Sequence, residues 1–167
     1  MIVTLGFDAR SFARLDAERQ ALFPDRGYRL PAHLTLFHHL PGARQDLVQS
    51  RLAVLAARTR PPRLAFSGIR EIGGGQGSAY AVRSPALLRL RADLARLWAP
   101  WLTRQDRRAF RPHITVQNKV PHEEGRAARE ALLSRFVPFR GTGTALILCH
   151  YRGGPWERAG EWPFGAP

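Results

Sequence analysis

Residues 111–120, RPHITVQNKV, form a β-branched, apolar run that reads as a buried strand, yet the run carries His113 and Thr115 two positions apart. The same pair occurs in residues 31–40, PAHLTLFHHL, as His33 and Thr35. Side chains alternate faces along a strand, so His33 shares a face with Thr35, and His113 with Thr115. Each pair has a proline just ahead of it, Pro31 and Pro112. If the two strands lie side by side in a cleft, two imidazoles and two hydroxyls converge. A single His-x-Thr carries little information. Two of them on strand-like runs, in a chain with six His and seven Thr, exceed what chance supplies.

Two imidazoles suit phosphoryl chemistry that needs neither metal nor cofactor. One neutral ring takes a proton from the attacking oxygen, and the other, protonated, gives one to the leaving oxygen. An ordinary imidazole pKa of ~6.5 fits both tasks near neutral pH. The Thr hydroxyls are donors for the non-bridging phosphate oxygens as charge builds there.

Working outward from the motifs, strand and helix signals alternate. Residues 2–7, IVTLGF, read as a strand and residues 8–23 as a helix, with Phe12, Leu15, Leu22 and Phe23 near one face. After the first motif strand, about 32–39, residues 44–58 are again helical. Two strands joined by the Gly-rich turn GGGQG follow, over 64–84. Ser84 and Pro85 signal a helix start, and Pro100 its end near Ala99. The second motif strand, 112–120, precedes a helix over 122–136 with acidic residues in its first turn. Strands over 144–153 and 156–164, separated by GGP, finish the chain. The order β-α-β-α-β-β-α-β-α-β-β, with a motif strand in each half, points to two similar α+β lobes in a single domain over 1–167 without a linker.

Composition narrows the partners. The net charge of +13 favours polyanions such as nucleic acid, nucleotides or an anionic membrane surface, although an arginine bias set by genome composition supplies the same count. Lys119 is the only lysine and stands just after the second motif. The one cysteine, Cys149, lies in the apolar run ALILCHY and reads as a core residue; no disulfide or CxxC zinc pattern is available. No apolar run reaches the ~18 residues of a membrane span, and the start reads as a strand instead of a signal peptide. A soluble, cytoplasmic, monomeric protein with no membrane partner is expected.

HLTLFHHL and HITVQNKV resemble the paired His-x-Thr/Ser signatures of the 2H phosphoesterase superfamily, which includes the 2'-5' RNA ligase-like RNA 2',3'-cyclic phosphodiesterases. The resemblance covers most of the chain. It implies an α+β fold of two pseudo-symmetric lobes, each an antiparallel sheet with outer helices, around a central groove. It also implies that His33 and His113 are catalytic and that Thr35 and Thr115 bind phosphate. The implied reaction opens a 2',3'-cyclic phosphate at an RNA or nucleotide end to a 2'-phosphate. His113 is expected to activate water and His33 to protonate the 3'-oxygen; joining the cyclic phosphate end to a 5'-hydroxyl would make a 2'-5' linkage. Many RNA-active members have a basic residue after the second motif, as in His-x-Thr-x-Ala-Arg. Here Gln117, Asn118 and Lys119 occupy that region, which leaves open an RNA end, a nucleotide or another cyclic phosphate as substrate.

Strand alternation puts Gln117 and Lys119 on the His113 face, as binders of phosphate or base, unless Lys119 lies past the strand's end. It puts Phe37 and His39 on the His33 face and turns His38 away. Phe37 is the leading candidate for base stacking, ahead of Tyr28 and Tyr80, with the core as the alternative for each. Arg104, Arg107, Arg108 and Arg111 lead into the second motif as a solvated loop or an electrostatic collar, Arg111 being closest. A metal site of His33, His39 and His113 lacks ligand spacing, and His122 and His150 read as ordinary surface or core histidines. GGGQG lacks a following helix, so it is not a phosphate loop. The rival functions are an RNA- or nucleotide-binding module without turnover, and a phosphodiesterase for small cyclic phosphates.

Overall fold

The computed structural model describes residues 1–25, 27 and 30–165. Strand β1 (Ile2–Phe7) leads into α1 (Ala9–Leu22), whose N-terminus is capped by Asp8: its Oδ1 accepts from the Ser11 amide at 2.9 Å. The other carboxylate oxygen accepts from the Thr142 amide at 2.7 Å, so one side chain ties the helix start to a distant strand. Next come β2 (Leu34–Phe37), α2 (Gln45–Ala57), β3 (Arg63–Ile72) and β4 (Gly77–Arg83). Helix α3 (Pro85–Leu97) starts where the sequence signals it, with the Ser84 hydroxyl accepting from the Leu87 amide and Pro85 in its first turn. The chain ends with β5 (His113–Gln117), α4 (His122–Ser134), β6 (Phe139–His150) and β7 (Glu157–Pro163). The order of elements is the expected one. The motif strands are shorter than expected, and β6 starts earlier.

All pairings are antiparallel, in the order β2-β1-β6-β3-β4-β5, with β7 also on β6. The long strand β6 serves two sheets. Its first residues pair with β3, and the rest pairs with β1 and β7. The two motif strands, β2 and β5, end the path, and these two ends come back together.

One face of each sheet is apolar and covered by helices. Val3, Leu5, Leu34, Leu36, Leu146 and Leu148 are buried from one sheet, and Leu64, Phe66, Tyr80, Val82 and Ile114 from the other. At ~25 cal/mol per Å² this burial is the main stabilising term. The helices cross over. Helix α1, which follows β1, packs near β5, whereas Trp98 at the end of α3 packs edge-on against Phe37 of β2, centroids 4.8 Å apart. Helix α4 seats on the β3–β4 hairpin because Gly125 allows it: a Cβ there would lie 2.3 Å from the Gly75 carbonyl oxygen.

Candidate active site

The two motif segments repeat in three dimensions. Position by position, residues 31–40 and 111–120 show the same succession of exposed, buried and half-buried side chains. The cause lies in the backbone. In β2, Thr35 pairs with Thr4 and Phe37 with Val3, so Leu36 is an extra residue; in β5, Thr115 pairs with Ala79 and Gln117 with Ser78, so Val116 is extra. Each strand therefore carries a β-bulge directly after its Thr.

The bulges correct the expected faces. Alternation holds from His33 to Thr35 and from His113 to Thr115, then slips by one residue. Phe37 is fully buried against Trp98 and under the Arg91 guanidinium, so it cannot stack on a base. Gln117 is buried too, and its amide donates to Glu124 Oε1 at 3.3 Å instead of facing the groove. His38, expected to turn away, lines the cleft, and His39 is exposed beyond it. Lys119 lies past the end of β5, exposed, with φ 61°. Arg111 is exposed, and its carbonyl accepts from the His113 ring. Tyr80 belongs to the core beside Phe136 and Phe139, and Tyr28 lies outside the described residues. The basic loop is partly structural, since Arg107 donates to the carbonyls of Leu102 and Ala99.

His33, Thr35, His38, His113, Thr115 and Trp156 together line a cleft of about 150 Å³. Both motif histidines are held alike: Nδ1 of His33 lies 2.8 Å from the Pro31 carbonyl oxygen, and Nδ1 of His113 lies 2.9 Å from that of Arg111. A carbonyl only accepts, so each Nδ1 carries the proton and each Nε2 is the free nitrogen. Burial pushes His33 down to about 4, helped by the charge of Arg19 and opposed by the Pro31 hydrogen bond. Burial also lowers His113, opposed by the Arg111 hydrogen bond and helped by the charge of Arg70. Both rings are therefore neutral at pH 7. The Trp156 ring, centroid 4.5 Å from that of His33, walls off the cleft from a cavity of about 290 Å³ over the β1–β6–β7 face, which shares both residues.

Four groups at the site escape the sequence reading. Asp106, buried in the basic loop, accepts from the His38 and His39 amides at 2.9 Å each and from the His38 ring at 3.1 Å. Burial alone raises its pKa, but these donors outweigh it and hold the carboxyl below its ordinary value. Two buried arginines cross between the halves. Arg19 of α1 donates to the Thr115 carbonyl at 2.6 Å and to that of Leu30, while Arg91 of α3 donates to the Leu36 carbonyl at 2.9 Å and to that of Asp106. Each helix thus clamps the bulge region of the other half's motif strand. Trp156 is the fourth. The lone acid among arginines in TRQDRRAFR was a usable signal for Asp106; nothing in the sequence marks the two arginines among so many. Among the described residues, no three His, Cys, Asp or Glu side chains are placed to hold a metal ion, so the His33, His39, His113 set is not assembled.

The fold and this cleft define a class. The sequence model of the 2'-5' RNA ligase superfamily matches residues 7–155, and the chain belongs to that family of 2H phosphoesterases. Its fold is similar to the crystal structure of TT0787 from Thermus thermophilus, with TM-score 0.67 and 16% identity over 99% of each chain. No curated protein matches the sequence. Membership makes the protein an enzyme of the phosphoesterase/ligase type, catalysing phosphoryl transfer. None of the described helices is long and apolar enough to cross a membrane.

Proposed function

We propose that the protein opens 2',3'-cyclic phosphate ends of RNA to a 2'-phosphate with His33 and His113 as its proton-transfer pair. The observation that carries this reading is the matched tethering of the two rings in one cleft, each with Nδ1 on a carbonyl two residues back and Nε2 free. Neutral His113 takes a proton from water as its oxygen attacks phosphorus. The P–O3' bond breaks, and His33 delivers its Nε2 proton to the departing 3'-oxygen. Burial makes His33 a reluctant acceptor and hence a ready donor, once the phosphate anion has drawn a proton to it. Thr35 and Thr115, facing the same cleft, donate to the non-bridging oxygens. A 5'-hydroxyl in place of the water gives ligation by the same steps: the 2'-oxygen remains on phosphorus, the 3'-oxygen leaves, and a 2'-5' linkage results.

The test is a short RNA with a 2',3'-cyclic phosphate end, incubated with EDTA, using the wild type, His33→Ala and His113→Ala. Conversion to the 2'-phosphate by the wild type alone is expected. Full activity in both variants would end the two-histidine reading. Salt-sensitive binding without product points to a binding module, and turnover of mononucleotides alone points to a small-molecule phosphodiesterase. The expected partner is an RNA or nucleotide end, and the expected state is a monomer in the cytoplasm.

A further inference from the structure

Arg70 lies in β3, and its register connects it to the cleft. It pairs with Ala79, which pairs with Thr115 across β4; one step along, Gly68 pairs with Ala81, which pairs with His113. Paired residues of antiparallel strands share a face, so Arg70 and Gly68 lie on the same face as His113 and Thr115. The opposite face is taken by Ile69 and Tyr80, which pair with each other and pack in the core. Between Arg70 and the motif strand β4 contributes only the methyl groups of Ala79 and Ala81, and the space above Gly68 is open. Arg70 is half-buried. Among the described residues no carboxylate, carbonyl or hydroxyl accepts a hydrogen bond from it, although its neighbour Glu71 is paired with Arg129. Its charge is nonetheless felt at His113.

A guanidinium held on a sheet floor without a partner is a ready-made anion site. Two strand spacings, roughly 10 Å, separate its backbone from that of Thr115. The side chain shortens that gap to a span suited to the next phosphate along a nucleotide, not to the reacting one. A nucleoside that ends in a 2',3'-cyclic phosphate has only its 5'-oxygen left to carry another phosphate. We infer that Arg70 forms a second-phosphate subsite, which binds the phosphate on the 5'-oxygen of the terminal nucleoside. The subsite rests on the cyclic phosphate reading of the cleft and deepens it. It makes the enzyme prefer substrates with at least two phosphates. In RNA the second phosphate is the adjoining phosphodiester, and in a small molecule it is the first phosphate of a 5'-diphosphate; the open space above Gly68 on the same face and the net charge of +13 favour the diester.

The experiment compares wild type, Arg70→Ala and Arg70→Lys on three substrates: uridine 2',3'-cyclic phosphate, the dinucleotide UpU with a 2',3'-cyclic phosphate end, and uridine 5'-diphosphate 2',3'-cyclic phosphate. The quantity read is the ratio of kcat/KM for each substrate that carries a phosphate on the 5'-oxygen of the terminal nucleoside to that for uridine 2',3'-cyclic phosphate, which carries none. A single charged contact predicts that Arg70→Ala lowers the dinucleotide ratio about tenfold, that Arg70→Lys recovers part of it, and that the salt slope for the dinucleotide falls by about one. A larger loss on the 5'-diphosphate than on the dinucleotide assigns the site to a small-molecule substrate and overturns the choice of the diester. An unchanged ratio overturns the subsite altogether. Calorimetric titration of the 2'-phosphate products UpU2'p and U2'p reads the same preference without turnover. An enzyme that hydrolyses none of the substrates but still loses UpU2'p preference in Arg70→Ala therefore keeps the subsite and rejects the proposed reaction. Equal binding of the two products by the wild type rejects the subsite.

Discussion

Residues 31–40 and 111–120 share a burial pattern, a bulge and a tethered histidine, yet their surroundings differ. His33 sits beneath Trp156 and near Arg19, and the turn after its strand is bound to Asp106 through His38 and His39. Among the described residues no tryptophan ring packs on His113; Arg70 lies on its sheet face, and the turn after its strand is held by the Lys119 amide donating to Asn118 Oδ1 at 2.9 Å and the Val120 amide donating to the Gln76 carbonyl at 3.2 Å. The local backbone thus builds the same histidine holder twice. What makes the two holders different comes from remote segments: the β6–β7 loop, the loop after α3, and β3.

The largest effect should test what the holders share. His33→Ala and His113→Ala should each lower kcat on a cyclic phosphate end by roughly 10²–10⁴, the usual size of one proton-transfer group. Melting temperatures should stay near that of the wild type, because both rings border the cleft. A loss in one variant only would break the equivalence of the two segments.

The next effect should separate them. Asp106→Asn should cost roughly 2–3 kcal/mol in chemical denaturation, since an amide cannot receive the His38 and His39 amides and the His38 ring as the buried carboxylate does. Asn118→Ala, at the corresponding turn, should cost ~1 kcal/mol or less. Equal costs would mean that the two turns depend on their clamps alike.

Titration should sharpen the contrast further. Both histidines are lowered, so kcat/KM should peak on the acid side of pH 6.5. Trp156→Ala admits water to His33 and should move that maximum toward neutral pH, with the His33 ring titrating above its value of about 4 in an NMR experiment. An unmoved maximum would mean that burial by Trp156 is not what depresses His33. The same shift links to stability. Between pH 6.5 and about 4 the unfolded chain binds more protons at position 33 than the folded one, so stability present above 6.5 should fall as the pH drops through that window. The fall should be shallower in His33→Ala.

The smallest effect concerns the second turn alone. Lys119 adopts a left-handed backbone with φ 61°, which glycine tolerates without strain. Lys119→Gly should raise stability by roughly 0.5 kcal/mol and leave activity near wild type, because the side chain lies beyond the strand and outside the cleft lining. A marked loss of activity would restore Lys119 as a contact to substrate.

Much of the fold was legible locally. Ser84 followed by Pro85 marks the start of α3, GGGQG turns the hairpin, and every strand and helix appears in the expected order. The first two polar positions of each motif were legible as well, because alternation is reliable over three residues of a strand. It fails beyond them for one reason. A bulge depends on how a strand pairs with its neighbour, and Leu36 and Val116 look like ordinary strand residues. That single slip buries Phe37 and Gln117 and turns His38 into the cleft.

By itself, then, the sequence determined the order of elements, the family signature and the His-x-Thr pairs, all of which rest on interactions between near neighbours in the chain. Only the tertiary structure decided that the two motif strands meet, that Arg19 and Arg91 cross to hold each other's bulge, and that Trp156, Asp106 and Arg70 join them. Those residues come from far along the chain and carry no local pattern. They are selected by register and by the need of buried carbonyls and charges for partners, which takes effect only once the sheet has closed.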